Sequence, residues 1–206
     1  MSNIVMNQTM NDGSSSNNDN NNTTTTVISN RTKPNILITG TPGTGKTSTS
    51  KLIAEMTGMK HINCSELVKK NQLSTEKNEE YDCLMLDEDA LCDEIENDMD
   101  NGGNIVDFHS IDFFPERWFD LVLVLRTNNT ILYDRLKNRN YNDKKLTENV
   151  QCEIMQVILE EAHNSYDKAI IYEVQSNTID DMENNVEHAI EWLKQFKTPY
   201  VNTRNK

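Results

Sequence analysis

A glycine-rich octapeptide carries the clearest chemistry in this 206-residue chain: Gly40-Thr41-Pro42-Gly43-Thr44-Gly45-Lys46-Thr47. It matches the pattern G-x-x-x-x-G-K-[ST] at every specified position, between an apolar run and a helical pattern. Glycines let the backbone wrap around phosphate oxygens, and the positive end of the following helix favours negative charge. The octapeptide therefore predicts a nucleoside triphosphate site, with binding residues Gly43, Thr44, Gly45, Lys46, Thr47 and Ser48. Lys46 is expected to reach the β- and γ-phosphates and the Thr47 hydroxyl to ligate Mg²⁺.

A second acidic element supports this site. Asp107 ends the apolar run Ile105-Val106, where a phosphate-binding loop of this kind is usually accompanied by a carboxylate near the metal and its waters. The alternative is an Asp that only caps a turn. If strand geometry continues to His109, alternation directs Asp107 and His109 to one side and Phe108 to the other. The expected side is that of the nucleotide, because ligands bind beyond the carboxyl ends of parallel strands.

The elements that must position these residues alternate between strands and helices, which predicts an α/β fold with a parallel sheet covered on both faces. Ser65 is expected to cap the helix after the second strand. Thr178 and Asp181 have capping-box spacing at the start of the last helix. The predicted strands span residues 35–39, 61–63, 104–107, 121–125 and 170–174. The predicted helices span residues 46–56, 131–138, 148–168 and 179–196.

Composition excludes several classes of protein. Twenty Lys and Arg against 33 Asp and Glu leave a net charge of −13, which argues against strong intrinsic nucleic-acid binding and suits a strongly basic partner. No apolar run is long enough to suggest a membrane span, and no signal-peptide pattern is present. Four scattered cysteines predict reduced thiols in an intracellular compartment rather than a zinc site.

Domain organisation follows from composition as well. Asn, Ser and Thr dominate the N-terminal segment, so residues 1–33 are predicted to form a disordered tail that has too little apolar surface to fold. Residues 34–197 are predicted to form one domain, and residues 198–206 a flexible C-terminal tail.

Further sequence segments narrow the class of nucleotide-binding protein to which the chain can belong. No N-K-x-D motif of a GTPase occurs, and the chain is short for a large motor ATPase, which leaves a compact kinase or a small ATPase. With the octapeptide, several segments in one order resemble the adenylate kinase isoenzyme 6 family, nuclear P-loop proteins also called CINAP, over about residues 34–196. They are Glu79-Glu80-Tyr81-Asp82, Leu86-Asp87-Glu88-Asp89, Ile105-Val106-Asp107-Phe108-His109, Asp112-Phe113-Phe114-Pro115-Glu116-Arg117-Trp118-Phe119, Val124-Leu125-Arg126-Thr127, Arg139-Asn140-Tyr141-Asn142 and Asn149-Val150-Gln151-Cys152-Glu153-Ile154.

The resemblance implies a three-layer αβα P-loop fold with five parallel strands in the order 2-3-1-4-5. It also implies a small insert that binds the acceptor monophosphate, at about residues 63–86, and a short lid at about 138–148. Arg139 would be the lid arginine that faces the phosphates. Arg135 either acts on the same face or lies on a solvated helix face. His109 either positions water or phosphate, or is an ordinary hydrogen-bonded histidine near a loop.

The resemblance also implies function. The first hypothesis is a nucleoside monophosphate kinase that transfers the ATP γ-phosphoryl to AMP, and in its range CMP or dAMP, with Mg²⁺ and with some ATPase activity. Its catalytic residues would be Lys46, Asp107, His109 and Arg139, and its metal residues Thr47 and, through water, Asp107. The alternative is an ATP-driven assembly factor that binds a basic small-subunit ribosomal protein and associates transiently with pre-ribosomal particles. That role implies 18S rRNA 3′-end processing in nucleus and cytoplasm.

Overall fold

The computed structural model describes residues 31–78 and 83–196. Its centre is a parallel sheet of five strands in the spatial order β2-β5-β1-β6-β7. Numbered among these five alone, the strands follow the order 2-3-1-4-5, which confirms the predicted fold class. The five strands are β1 (Ile36–Thr39), β2 (Lys60–Asn63), β5 (Asn104–Asp107), β6 (Leu121–Arg126) and β7 (Ile171–Gln175).

Helices connect these strands and cover both faces of the sheet. They are α1 (Lys46–Thr57), α2 (Cys64–Asn71), α3 (Glu88–Asn101), α4 (Asn129–Asn138), α5 (Asp143–Ile154), α6 (Val157–Ser165) and α7 (Ile179–Gln195). The local signals at two termini are confirmed: Gly58 ends α1 in the left-handed conformation, and Thr178 with Asp181 forms the capping box of α7. No helix in the described part of the chain combines the length and apolarity that a membrane crossing needs.

Strand β6 shows how the sequence pattern produces three layers. Five of its six residues are buried, because both faces of the strand are covered. Val122 and Val124 pack in one apolar cluster with residues of α3 and α6. Leu121, Leu123 and Leu125 lie in the other cluster, with residues of α1 and α7. Side chains that alternate along a strand thus build two separate cores.

The predicted acceptor insert and lid correspond to identifiable elements. Helix α2 and an antiparallel pair, β3 (Ser74–Asn78) and β4 (Cys83–Leu86), occupy the insert. The segment Glu79-Glu80-Tyr81-Asp82 lies outside the described residues. In the lid, α4 ends at Asn138 and α5 begins at Asp143. Leu146 of α5 is buried against Leu132 and Leu136 of α4, so these two helices pack together.

Two predicted element boundaries are wrong. The single helix over residues 148–168 is instead two helices, α5 and α6, separated where Gln156 takes a φ of 58°. The cap of α2 is Asn63, whose side chain accepts from the backbone N–H of Glu66, and not Ser65. The helix therefore begins directly after β2, so that an Asn at the carboxyl end of the sheet also starts the insert.

Arg31, two residues before the end of the predicted tail, contacts the folded domain. Arg31 forms an ion pair with Asp120 at 2.8 Å and donates to the carbonyl oxygen of Arg117. Asp120 also accepts from the backbone N–H of Asn35. The last residues of the predicted tail therefore pack on the domain. Residues 1–30 and the predicted C-terminal tail at 198–206 lie outside the described residues.

Candidate active site

The phosphate loop joins β1 to α1 and depends on its glycines. Gly40, Gly43 and Gly45 have φ values of 139°, 100° and 100°, in the region that favours glycine. A Cβ on Gly40 would lie 2.5 Å from the carbonyl oxygen of Leu125, and one on Gly43 2.8 Å from Leu132 Cδ1. No side chain caps the first turn of α1. The N–H groups at this terminus are therefore available to an anion such as a phosphate.

Lys46 lies at the start of α1 and folds back over the loop. Its Nζ donates to the carbonyl oxygens of Gly40 at 2.7 Å and Thr41 at 3.2 Å. Desolvation by burial lowers the pKa of Lys46 to about 8, with Arg139 adding to the decrease and Asp107 opposing it. An ammonium that has lost much of its hydration is a strong partner for phosphate, because its charge is little screened.

Asp107 and Thr47 meet through one amide. Asn63 Nδ2 donates to Asp107 Oδ2 at 3.2 Å and to Thr47 Oγ1 at 3.3 Å. Asp107 is buried, and His61 Nε2 lies 3.4 Å from the same Oδ2. A hydroxyl and a carboxylate side by side are hard oxygen donors, which fit Mg²⁺. Within the described ranges, no three or more His, Cys, Asp or Glu side chains form a group that could hold a metal ion. Nucleotide phosphates and water would complete the shell.

The alternation expected after β5 is present in the structure. Phe108 is buried in the core, with Phe113 and Phe114 nearby at ring-centroid distances of 6.2 Å. Asp107 and His109 both line the cavity beside the phosphate loop. Although the His109 residue is exposed as a whole, desolvation of its ring within the cavity and then Lys46 and Lys145 lower its pKa to about 4. The imidazole is therefore neutral at pH 7.

One cavity of about 310 Å³ brings together side chains from four parts of the chain. Every residue predicted for the site lines it except Thr44, which is buried beneath the loop. Six further lining residues were not predicted as site residues: Pro42 of the octapeptide itself, and Asn63, Ser65, Lys69, Tyr141 and Lys145. A larger cavity of about 490 Å³ lies along the edge strand β2, but no residue of the phosphate loop lines it. We therefore place the active site in the smaller cavity, which contains the anion-binding loop.

The two arginines near the lid have different surroundings. Arg139 ends α4 as its C-cap and lines the cavity. Arg135 donates to the carbonyl oxygens of Ser176 at 2.9 Å, Asn177 at 2.7 Å and Gly43 at 3.4 Å. The alternative of a solvated helix face is thus wrong for Arg135, which ties the loop after β7 to the phosphate loop.

The residues that sequence reasoning missed had partial signals. Asn63 follows the second strand, whose carboxyl end meets the same edge as Asp107 because their strands pair in register. Lys145 lies within the segment predicted as the lid, and Lys69 within the predicted insert. Tyr141 stands in one of the segments that resemble the family, and the Lys145 ammonium lies 5.0 Å from its ring centroid. Their convergence on one cavity depends on tertiary structure.

Solved structures with the same fold define the class. Shikimate kinase from Bacteroides thetaiotaomicron aligns with a TM-score of 0.54 at 16% identity, over 78% of this chain and 98% of that one. A gluconokinase from Sinorhizobium meliloti aligns with a TM-score of 0.51 at 16% identity, over 80% and 98%. At such identities the likeness shows the fold alone. With the phosphate loop, this fold defines a P-loop kinase-like enzyme, a class that uses ATP and typically Mg²⁺.

Sequence relatives define the family. Residues 36–156 match the AAA domain family. The adenylate kinase isoenzyme 6 homolog of Dictyostelium discoideum is 54% identical over 166 residues, covering 81% of this chain and 95% of the relative. The homologs of Caenorhabditis elegans and Drosophila melanogaster are 47% and 48% identical, covering 83% and 80% of this chain and 95% and 94% of those relatives. The chain therefore belongs to the adenylate kinase isoenzyme 6 family, as the resemblance implied.

Proposed function

We propose that this protein transfers the γ-phosphoryl group of ATP to a nucleoside monophosphate, with AMP as the preferred acceptor and CMP and dAMP within its range. The observation that supports this proposal is the lining of one cavity. The phosphate loop provides one wall, Lys69 of the insert a second, and Arg139 and Lys145 of the lid a third. A phosphate-binding loop that shares one cavity with cations from two separate segments suits two phosphate-bearing substrates, whereas hydrolysis needs only one such substrate.

The proposed chemistry needs no general base. An oxygen of the acceptor monophosphate forms the new bond to the γ-phosphorus, while the bond from that phosphorus to the β–γ bridging oxygen breaks and ADP leaves. Lys46 and Arg139 would neutralise the charge that develops on the transferred group. Thr47 and Asp107 would hold Mg²⁺, which supplies charge neutralisation and orients the phosphates. Without an acceptor, water takes its place and yields slow ATP hydrolysis.

Coupled-enzyme kinetics across AMP, CMP, dAMP and GMP test the kinase proposal. ADP formation that depends on AMP supports it, and phosphate release that no monophosphate changes would contradict it. Lys69→Met is expected to raise the KM for AMP about tenfold or more, through the loss of one charged phosphate contact. Its ATP hydrolysis without acceptor should stay as in the wild type. Lys70→Met, one residue further along α2 and outside this cavity, is the matched control.

We also propose a second role, as an ATP-driven assembly factor that binds a basic small-subunit ribosomal protein and acts in 18S rRNA 3′-end processing in nucleus and cytoplasm. The observation that favours a basic partner is helix α3. Leu91, Ile95 and Met99 are its buried residues. The fourteen residues of α3 hold no Lys or Arg, and Glu88, Asp89, Asp93, Glu94, Glu96 and Asp100 are exposed. Such a surface attracts a basic protein.

Neutralising four carboxylates tests this role without touching the cavity. The variant Glu88→Gln, Asp89→Asn, Asp93→Asn, Glu94→Gln should lose binding to purified basic proteins of the small subunit and keep the wild-type kinetic constants for ATP and AMP.

A control variant removes the same charge from exposed positions of α7: Asp180→Asn, Glu183→Gln, Glu187→Gln, Glu191→Gln. If this control lost binding equally, net charge alone would account for association. If neither variant changed binding, the α3 surface would not be the docking site.

A further inference from the structure

Glu153 is a buried carboxylate that the mechanism above does not use. It lies near the end of α5, in the segment Asn149-Val150-Gln151-Cys152-Glu153-Ile154, and is 3% exposed. Its Oε2 accepts from Thr41 Oγ1 at 2.5 Å. Its Oε1 accepts from Arg126 Nε at 2.8 Å and from the backbone N–H of Thr127 at 3.0 Å. Both oxygens of the carboxylate are thus occupied by groups of the protein.

Arg126 completes this arrangement at the end of β6. Its Nη2 donates to the carbonyl oxygen of Glu153 at 3.0 Å, and its Nη1 pairs with Glu173 of β7 at 2.9 Å. A buried ion pair of this kind is weak evidence for stability, because the desolvation of both charges offsets their attraction. Its geometry is more informative, since one side chain of α5 joins β6 to the second residue of the phosphate loop.

Thr41 connects Glu153 to the part of the loop that is expected to bind phosphate. Its carbonyl oxygen accepts from the backbone N–H of Thr44 at 3.2 Å, from Thr44 Oγ1 at 2.9 Å and from Lys46 Nζ at 3.2 Å. The side chain of Thr41 is held by Glu153, and its backbone holds the loop and the lysine. A change in the position of Thr41 therefore changes the position of the anion-binding groups.

Helix α5 extends from the lid to this contact. Lys145, in its first turn, lines the active-site cavity, eight residues before Glu153. At a rise of about 1.5 Å per residue, the two positions are about 12 Å apart along the axis. The helix ends at Ile154, and Gln156 turns the chain into α6 with a φ of 58°. Glu153 thus fixes the end of α5 opposite to the end that carries a cation of the cavity.

We propose that Glu153 is a positioning residue that holds Thr41, and through it the phosphate loop, in the conformation that binds ATP. This inference rests on the proposed function, in which the loop binds ATP. A pre-set loop binds phosphate without a further cost of ordering. Because Thr41 contacts the phosphate loop and not Lys69 of the insert, the expected effect is on ATP rather than on the acceptor.

Thr41→Val removes the hydroxyl donor and keeps the shape of the side chain. A hydrogen bond to a charged group corresponds to about tenfold or more in an equilibrium constant, so the KM and the dissociation constant for ATP should rise by about tenfold. The KM for AMP should stay within about twofold of the wild type. Thr41→Ser restores the donor and should restore the ATP constants. Thr57→Val, whose hydroxyl donates to the carbonyl oxygen of Ile53 and accepts from the backbone N–H of Met59 at the far end of α1, is the matched control and should leave both KM values unchanged.

Glu153→Gln tests the acceptor side. An amide oxygen accepts more weakly than a carboxylate, so the KM for ATP should rise, and adding Thr41→Val should raise it little further. Glu173→Gln breaks the other ion pair of Arg126, on an exposed partner, and should change neither KM. Should Glu153→Gln fail to fold, the Thr41 pair of variants still decides the question.

The possible outcomes distinguish a failure of the proposed function from a failure of the positioning role of Glu153. A wild-type protein that binds no ATP in titration calorimetry would refute the proposed function. A wild-type protein that binds ATP, with Thr41→Val equal to it in KM for ATP, would refute the positioning role. A lower kcat and melting temperature with an unchanged KM for ATP would also refute it, because a merely structural contact reduces only the amount of folded enzyme.

Discussion

Lys46→Met should produce a protein that is inactive and yet more stable than the wild type. The Lys46 ammonium is desolvated in the absence of nucleotide, and this lowers its pKa from 10.5 to about 8. Such a shift corresponds to roughly 3 kcal/mol in favour of the neutral amine, so the charged form weakens the fold at pH 7. Methionine has a similar length and carries no charge.

The net gain is smaller than this figure. The carbonyl oxygens of Gly40 and Thr41 lose their Nζ partner, at a cost of about 1–2 kcal/mol. The expected net stabilisation is about 1–2 kcal/mol, which raises the melting temperature by roughly 2–8 °C for a domain of this size. Turnover should fall by about 100-fold or more, because a charge that meets the transferred phosphoryl group is gone.

Thermal unfolding of both proteins, without nucleotide, at pH 7 and pH 9.5 measures the effect. The folded wild type loses the Lys46 proton near pH 8, and the unfolded chain near 10.5. Between these values the unfolded state binds more protons, so the stability of the wild type rises with pH relative to the variant. The difference in melting temperature should therefore shrink at pH 9.5. A variant that melts several degrees below the wild type at pH 7, or a difference that grows with pH, would refute this reasoning.

Five further changes have definite expected results. Deletion of residues 1–30 should leave the melting temperature and kcat unchanged, since that segment lacks a core-forming pattern. Deletion through residue 33 should instead lower the melting temperature, because it removes the ion pair of Arg31 with Asp120. Asp107→Asn should lose most Mg²⁺-dependent turnover and keep some metal-free ATP binding, whereas His109→Gly should bind ATP within a few-fold of the wild type and turn over more slowly. Calorimetry beside steady-state kinetics measures both, and a proportional loss of ATP affinity in His109→Gly would contradict this division. Gly43→Ala should abolish ATP binding in a folded protein, because its Cβ would meet Leu132 and its φ of 100° is strained for alanine, and the binding isotherm checks this.

The local sequence was sufficient to predict those structural features whose physical cause is local. The phosphate loop could be predicted because glycines at positive φ and a lysine at the start of a helix act within eight residues. The capping box of α7 involves only Thr178 and Asp181, and β6 follows from an uninterrupted apolar run. The order of the strands came from the resemblance to a family, and the pairing of β1 with both β5 and β6 confirms it.

Errors arose where distant contacts outweigh local preference. Gln156 adopts the left-handed conformation although Gln carries no signal for it, so the break between α5 and α6 is invisible in the pattern. A Ser at position 65 is a good cap in isolation, but Asn63 stands where β2 ends against Asp107 and starts the helix two residues earlier. At Asn63 the end of β2 therefore decides which of two acceptable caps is used.

The sequence by itself determined the chemistry of the loop, the α/β class and the residues Lys46, Thr47 and Asp107. Only the tertiary structure decided what surrounds them. For Arg135 the sequence left two alternatives open, and the structure shows it donating to carbonyl oxygens more than 40 residues away in sequence. Glu153 stood in a segment without an evident role and contacts Thr41, 112 residues earlier. The type of a side chain determines which bonds it can form. Only the fold brings groups that are distant in sequence within hydrogen-bond distance, so a local sequence pattern cannot predict such a contact.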